Sequence, residues 1–207
     1  MTYVISYLTR LGEYISMTRT RLMILSCAAI SIVILVLVLG NSLEPLRSPF
    51  ENLHTSELRL IVDGLVQQPL NLTFDELANM PKSTVSAELY CVDNPKTPVV
   101  RGNWTGVRLG FLLQETGISN AAVKAAFYAI DGYKTDLTIS TVFHENIIVA
   151  FERDGGLLPE GLRLVVPGKW GYKWISGLTH IQLVNYDFKG TWESRGYSDE
   201  ADVTPNP

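Results

Sequence analysis

The 207-residue chain is 46% hydrophobic and 10% aromatic but only 18% charged, which excludes a disordered chain and predicts one folded core with an unusually oily extra segment. Its length suits a single domain plus an appendage. Beyond Gly40 there are 14 Lys plus Arg against 20 Asp plus Glu, a formal charge of −6, and no basic stripe interleaved with aromatics, which argues against nucleic acid as a partner.

In chain order, residues 1–21 carry Arg10, Arg19 and Arg21 against one acid, Glu13. Residues 22–40, LMILSCAAISIVILVLVLG, hold no charge and approach the roughly 20 residues that a helix needs to cross a bilayer. A buried soluble helix would show a polar stripe, whereas here only Ser26, Cys27 and Ser31 interrupt the apolar surface. The segment therefore predicts a single-pass helix in the cell membrane, with the basic residues 1–21 in the cytoplasm and the rest of the chain on the extracytoplasmic side. No A-x-A-like site follows it, so it reads as an uncleaved anchor, although Gly40-Asn41-Ser42 is small enough to leave signal-peptide cleavage open. Residues 41–57, with two prolines and no apolar period, read as a linker.

The globular domain is expected over 58–207. LRLIVDGLV predicts a strand, and Thr73 with Glu76 predicts a capping box on a short helix that Pro81 ends. STVSAELYC predicts a strand that delivers Cys91 at its end. VRLGFLLQETG predicts a helix with Leu109, Leu112 and Leu113 on one face and Gly117 as its stop. VKAAFYAI, TDLTIS, IIVAFE, LRLVVPG and HIQLVNY predict further strands, separated by Gly- and Pro-containing turns. The expected fold class is α+β, strand-rich with short helices.

The sequence lacks G-x-S-x-G, G-x-x-x-x-G-K, H-E-x-x-H, C-x-x-C and C-x-x-C-H, which excludes the chemistries those motifs carry. His54, His144 and His180 sit far apart in unlike contexts. Cys91 has no partner for an intradomain disulfide once Cys27 is placed in the bilayer, and a lone thiol in an oxidising compartment is a liability unless buried or used. It reads either as a small core residue or as a soft ligand for a metal that arrives with sulfurs of its own. In LRLVVPGKWGYKW, Arg163, Lys169 and Lys173 crowd around Gly168 and Gly171, a set that suits an anion and equally a solvated basic turn. RGNWTGVRL holds Trp104 between Gly102 and Gly106, as an aromatic plate on a tight turn or as a cover on the core.

Five pieces in order, LYCVDN, NWTGVRLGFLL, FYAIDGYKTDLTI, LRLVVPGKWGYKWISGLTHIQL and GTWESRGYS, make the domain resemble the molybdopterin-binding domain of the sulfite oxidase superfamily. The likeness is to the short prokaryotic form related to the periplasmic methionine sulfoxide reductase catalytic subunit. The resemblance implies molybdopterin with molybdenum as cofactor and Cys91 as catalytic residue and metal ligand. It implies Asn94, Lys96, Arg163, Gly171, Tyr172 and Lys173 as cofactor-binding residues, with Lys169 beside them. Two positions depart from the pattern: Ser176 stands where a lysine is common, and Glu160-Gly161 replaces the usual His-Gly.

By resemblance, the activity would be two-electron oxygen-atom transfer on a small substrate such as sulfite, a sulfoxide or an N-oxide. The chain shows no electron carrier of its own, so a separate redox partner is expected, a quinone-linked membrane protein or a cytochrome. The competing reading is a membrane-tethered binding or assembly module that kept the fold and lost the chemistry. Cys91 argues against it, and Ser176 and the missing His-Gly argue for it.

Overall fold

The computed structural model describes residues 58–203. The expected span at 22–40 and the linker at 41–57 lie outside them, and among the described residues no helix is long and apolar enough to cross a membrane. Strand β1 (Arg59–Gly64) buries Leu60 and Val62 and exposes Arg59 and Ile61, the period of two that a half-buried strand requires. It runs antiparallel to β2 (Leu70–Thr73) and parallel to β10 (Leu178–Val184). With β5 (Lys124–Ala129) and β6 (Lys134–Thr138) these form a five-stranded sheet in the order β2-β1-β10-β5-β6.

A second sheet has the order β3 (Lys82–Leu89), β4 (Val100–Arg108), β7 (Ile148–Arg153), β8 (Gly156–Leu157), and β9 (Arg163–Val165) also pairs with β7. Helices α1 (Phe74–Ala78), α2 (Leu109–Gln114) and α3 (Ile139–Val142) are short, and 3₁₀ turns lie at Gly171–Lys173 and Glu193–Arg195. One continuous core takes side chains from both sheets, including Leu60, Phe127 and Leu183 of the first and Trp104, Phe151 and Leu164 of the second. The strand-rich α+β expectation holds.

The local expectations hold in most places. Thr73 caps α1 reciprocally: the Glu76 amide donates to Thr73 Oγ1 (3.2 Å) and the Thr73 amide to Glu76 Oε2 (2.8 Å), and α2 buries Leu109, Leu112 and Leu113. The segment RGNWTGVRL differs. It is no tight turn but most of β4, an interior strand paired with β3 and β7 and irregular between Thr105 and Gly106. Trp104 is 1% exposed and its indole N–H donates to the Ala87 carbonyl (3.3 Å), so it covers the core. The two glycines imitated turn punctuation within a strand.

Candidate functional site

Strand β3 ends at Leu89 and the chain then turns through Cys91, where the Asn94 amide donates to the Cys91 carbonyl (3.1 Å) and the Val99 amide to the Leu89 carbonyl (2.8 Å). The loop is thereby closed on itself and pins Cys91 at the strand end. Cys91 is a free, half-buried cysteine. It lines a cavity of about 390 Å³ together with Leu89, Val99, Tyr133, Tyr172, Trp174 and Ser176, among others, a volume within the range of small-molecule sites.

A second part of the wall is the 3₁₀ turn between β9 and β10. The Gly171 amide donates to the Tyr90 carbonyl (2.8 Å), which joins this turn to the strand that carries Cys91. A side chain at position 171 would begin 2.8 Å from Leu89 Cδ2 and 3.0 Å from the Tyr90 carbonyl oxygen, so only glycine allows the approach. The remaining wall comes from the β5–β6 turn, through Asp131 and Tyr133, and from the segment after β10, through Trp192 and Tyr197. Trp174, Trp192 and Tyr197 were not singled out as site residues from the sequence, although each lies in a piece that carries the family resemblance.

Of the expected site residues, Cys91, Gly171 and Tyr172 meet at the cavity. Asn94 and Lys96 lie exposed on the Cys91 loop, outside the cavity wall. Arg163 stands behind the wall. Its guanidinium donates to Glu160 Oε1 (2.6 Å) and to Ser176 Oγ (2.9 Å), so both positions that depart from the family pattern converge on this one side chain. Lys169 does not line the cavity; its largely covered side chain pairs with Asp202 (2.8 Å).

Lys173 corrects the expectation that its cation faces the cofactor. Its side chain is 0% exposed, and its ammonium lies 2.7 Å from Glu193 Oε1 and 3.2 Å from Asp136 Oδ1. In the tight turn Gly171 and Tyr172 face the cavity and Lys173 points the other way, and burial forced it to find carboxylate partners. Its role is to anchor the turn from behind.

The phenols of Tyr133 and Tyr172 are held in their protonated form. Burial, reinforced by Glu193 and Asp199, pushes Tyr172 up to about 12, and burial likewise raises Tyr133. Each donates to a backbone carbonyl, Tyr133 to Tyr172 (2.6 Å) and Tyr172 to Ser198 (2.7 Å). Among the described residues lining the cavity there is no lysine or arginine, while Asp93 and Asp131 both line it.

The model of the oxidoreductase molybdopterin binding domain family matches residues 47–192. The chain belongs to this family. It is a molybdopterin-dependent oxidoreductase whose cofactor is molybdopterin with molybdenum. It is 27% identical over 170 residues to uncharacterized oxidoreductase YuiH of Bacillus subtilis, covering 76% of this chain and 85% of that protein. It is 29% identical over 147 residues to putative protein-methionine-sulfoxide reductase subunit YedZ1 of Azospira oryzae, covering 69% of this chain and 55% of that protein. The fold is similar to the crystal structure of sulfane dehydrogenase SoxCD from Paracoccus pantotrophus, with a TM-score of 0.61, 23% identity and coverage of 65% of this chain and 40% of that one. The chain thus spans about half of the Azospira relative and less than half of the Paracoccus chain.

The residues present fit the cofactor. Among the described residues no three His, Cys, Asp or Glu side chains gather into a cage for a bare ion, whereas a single soft thiol on a cavity wall suits a metal that arrives with sulfur ligands. Cys91 is placed to supply that thiolate, with Gly171 and Tyr172 lining the same cavity and Lys96 on the Cys91 loop.

Proposed function

We propose that the chain is a membrane-anchored oxidoreductase that moves an oxygen atom and two electrons between a small uncharged substrate, such as a sulfoxide or an N-oxide, and a separate redox partner. The observation that carries this reading is the free Cys91 thiol on the wall of an aromatic cavity with no lysine or arginine among its described lining residues. When bound, the molybdenum cofactor supplies the two-electron chemistry. The protein supplies the rest.

Tyr133, Tyr172, Trp174 and Trp192 form an aromatic wall against which a thioether or sulfoxide substituent packs. A dianion such as sulfite would meet the carboxylates of Asp93 and Asp131 with no lysine or arginine among the described lining residues to balance them. Arg163, behind the wall, is already paired with Glu160. Names among the relatives run in both chemical directions, and the charge of the cavity is what supports the preference for an uncharged substrate. In net terms a sulfoxide takes up two electrons and two protons and yields a thioether and water. The electrons come from a quinone-linked membrane protein or a cytochrome, and the apolar run at 22–40 holds the domain beside it, on the extracytoplasmic face.

The test is the molybdenum and phosphorus content of the full chain from a host that makes molybdopterin, beside Cys91→Ser. Near-stoichiometric metal in the parent and at least a tenfold loss of turnover in the variant are expected, roughly 1.4 kcal/mol or more of transition-state stabilisation. With dye-coupled assays, an alkyl aryl sulfoxide should be turned over in preference to sulfite. A folded parent that carries neither metal nor pterin, from a host that loads a control molybdoenzyme, would overturn the enzyme reading in favour of a binding module.

A further inference from the structure

After β10 the chain forms no strand, and from 185 to 200 only Gly190 and Glu193 are buried. Yet this segment brings Trp192 and Tyr197 to the cavity. The Thr191 amide donates to the Lys134 carbonyl (2.8 Å), Tyr172 donates to the Ser198 carbonyl (2.7 Å), and Phe188 and Tyr197 meet Tyr128 and Tyr172 edge to face; the buried part of the contact is charge. Lys124, at the start of β5, lies 2.6 Å from Asp187, 2.5 Å from Asp199 and 2.9 Å from Asp136, and its ammonium also donates to the Phe188 carbonyl (2.9 Å). Lys173 holds Glu193 from the other side, and Thr135 Oγ1 donates to the same Glu193 oxygen (2.8 Å).

The side chains of Lys124, Lys173, Asp136 and Glu193 are 7%, 0%, 2% and 0% exposed, so these pairs are shielded from salt and from competing water. Lys189 links Asp187 and Asp199 at the exposed end. Gly190 presses onto β6 so closely that a side chain there would begin 2.6 Å from the Lys134 carbonyl oxygen. The contact is specific in register, and its aromatic side chains Phe188, Trp192 and Tyr197 are only half-buried, so the fully buried hold between residues 185 and 200 is ionic.

We propose that Lys124 and Lys173 are positioning residues that clasp the segment 187–199 against β5, β6 and the 3₁₀ turn, and so complete the wall of the cofactor cavity. Lys173 acts on two walls at once, because it follows Tyr172 in the turn and grips Glu193, which follows Trp192. Its removal leaves a buried carboxylate without its cation, and the least costly relief is for the segment to lift and let Glu193 reach water. The test is read on the chain before cofactor loading and is independent of the substrate assigned above.

The experiment uses the full chain carrying Cys27→Ser, so that Cys91 is the sole thiol, expressed without molybdopterin. In Lys173→Met, amide exchange over 187–199 should rise by about tenfold or more. Alkylation of Cys91 by a bulky maleimide should accelerate with it, while β4 and β7 keep the parent's protection. Glu193→Gln, which keeps the shape and the acceptor for Thr135 but removes the charge, should shift both readouts in the same direction by less, and it decides the matter if Lys173→Met does not fold. Parent-like exchange and alkylation in a folded variant would overturn the proposal. So would a rise shared equally by β4 and β7, or a loosened segment that leaves Cys91 alkylation unchanged.

Discussion

At the scale of single residues, the site depends on which atoms a turn presents to which side. Lys173 looked like a ligand for an anion because a basic residue beside glycines suits one; three residues of 3₁₀ geometry turned it into the interior instead. Arg163 was read in the same spirit and instead ties Glu160 to Ser176. Cys91 was legible because nothing else in the domain could pair with it, and chemistry of that kind is carried by residue identity alone. Gly171 is the sensitive backbone position on the cavity wall. Gly171→Ala would drive a methyl group into Leu89 and the Tyr90 carbonyl, and we expect a loss of about 1–3 kcal/mol in denaturant unfolding together with a lower molybdenum content. Unchanged stability and metal content would show that the turn can move away from the Cys91 strand at no cost.

At the scale of elements, periodicity identified the strands and missed what punctuates them. β1, β3, β5, β7 and β10 were legible from alternating or continuous apolar runs, and α1 from its capping box. β4 was not, because its glycines serve close strand pairing, and neither was the segment 187–199, whose buried hold comes from ions and not from a pattern. That origin has a pH signature. Burial pushes Asp199 up, but the hydrogen bonds from Lys124 and Lys189 outweigh it and leave the carboxyl below its usual range. Hydrogen bonds from Lys124 and then Lys189 also hold the exposed Asp187 low. A lowered carboxyl contributes stability that is complete above the unfolded value, about 3.9, and is lost as pH falls through the folded value. Asp136 runs the other way, since burial raises it and its protonation favours the folded state. Protection of the amides over 187–199, measured against the intrinsic exchange rate at each pH, should therefore fall below roughly pH 4 while β4 and β7 stay protected; a segment that keeps its protection there would remove Asp187 and Asp199 from the clasp.

At the scale of the whole molecule, the described residues 58–203 carry one continuous core from both sheets, and a chain that starts before Leu58 keeps all of it. A chain beginning at Pro49 should therefore unfold in one cooperative transition and remain in solution without detergent. The full chain should partition into the membrane fraction. Loss of cooperative unfolding in the shorter chain would show that the residues before Pro49 contribute to the core, and a full chain that stays in the soluble fraction would remove the anchor.

The sequence by itself determined the composition of the core, the strand-rich class, the lone thiol and the family to which that thiol belongs, because hydrophobic period and residue chemistry are local properties. Only the tertiary structure decided that Trp104 fills the core, that Lys173 faces away from the cavity, and that Trp192 and Tyr197 reach it. Those outcomes depend on contacts between residues far apart in the chain, such as Lys124 with Asp199 and Lys173 with Asp136. A charge buried by folding must take whatever partner the topology brings to it.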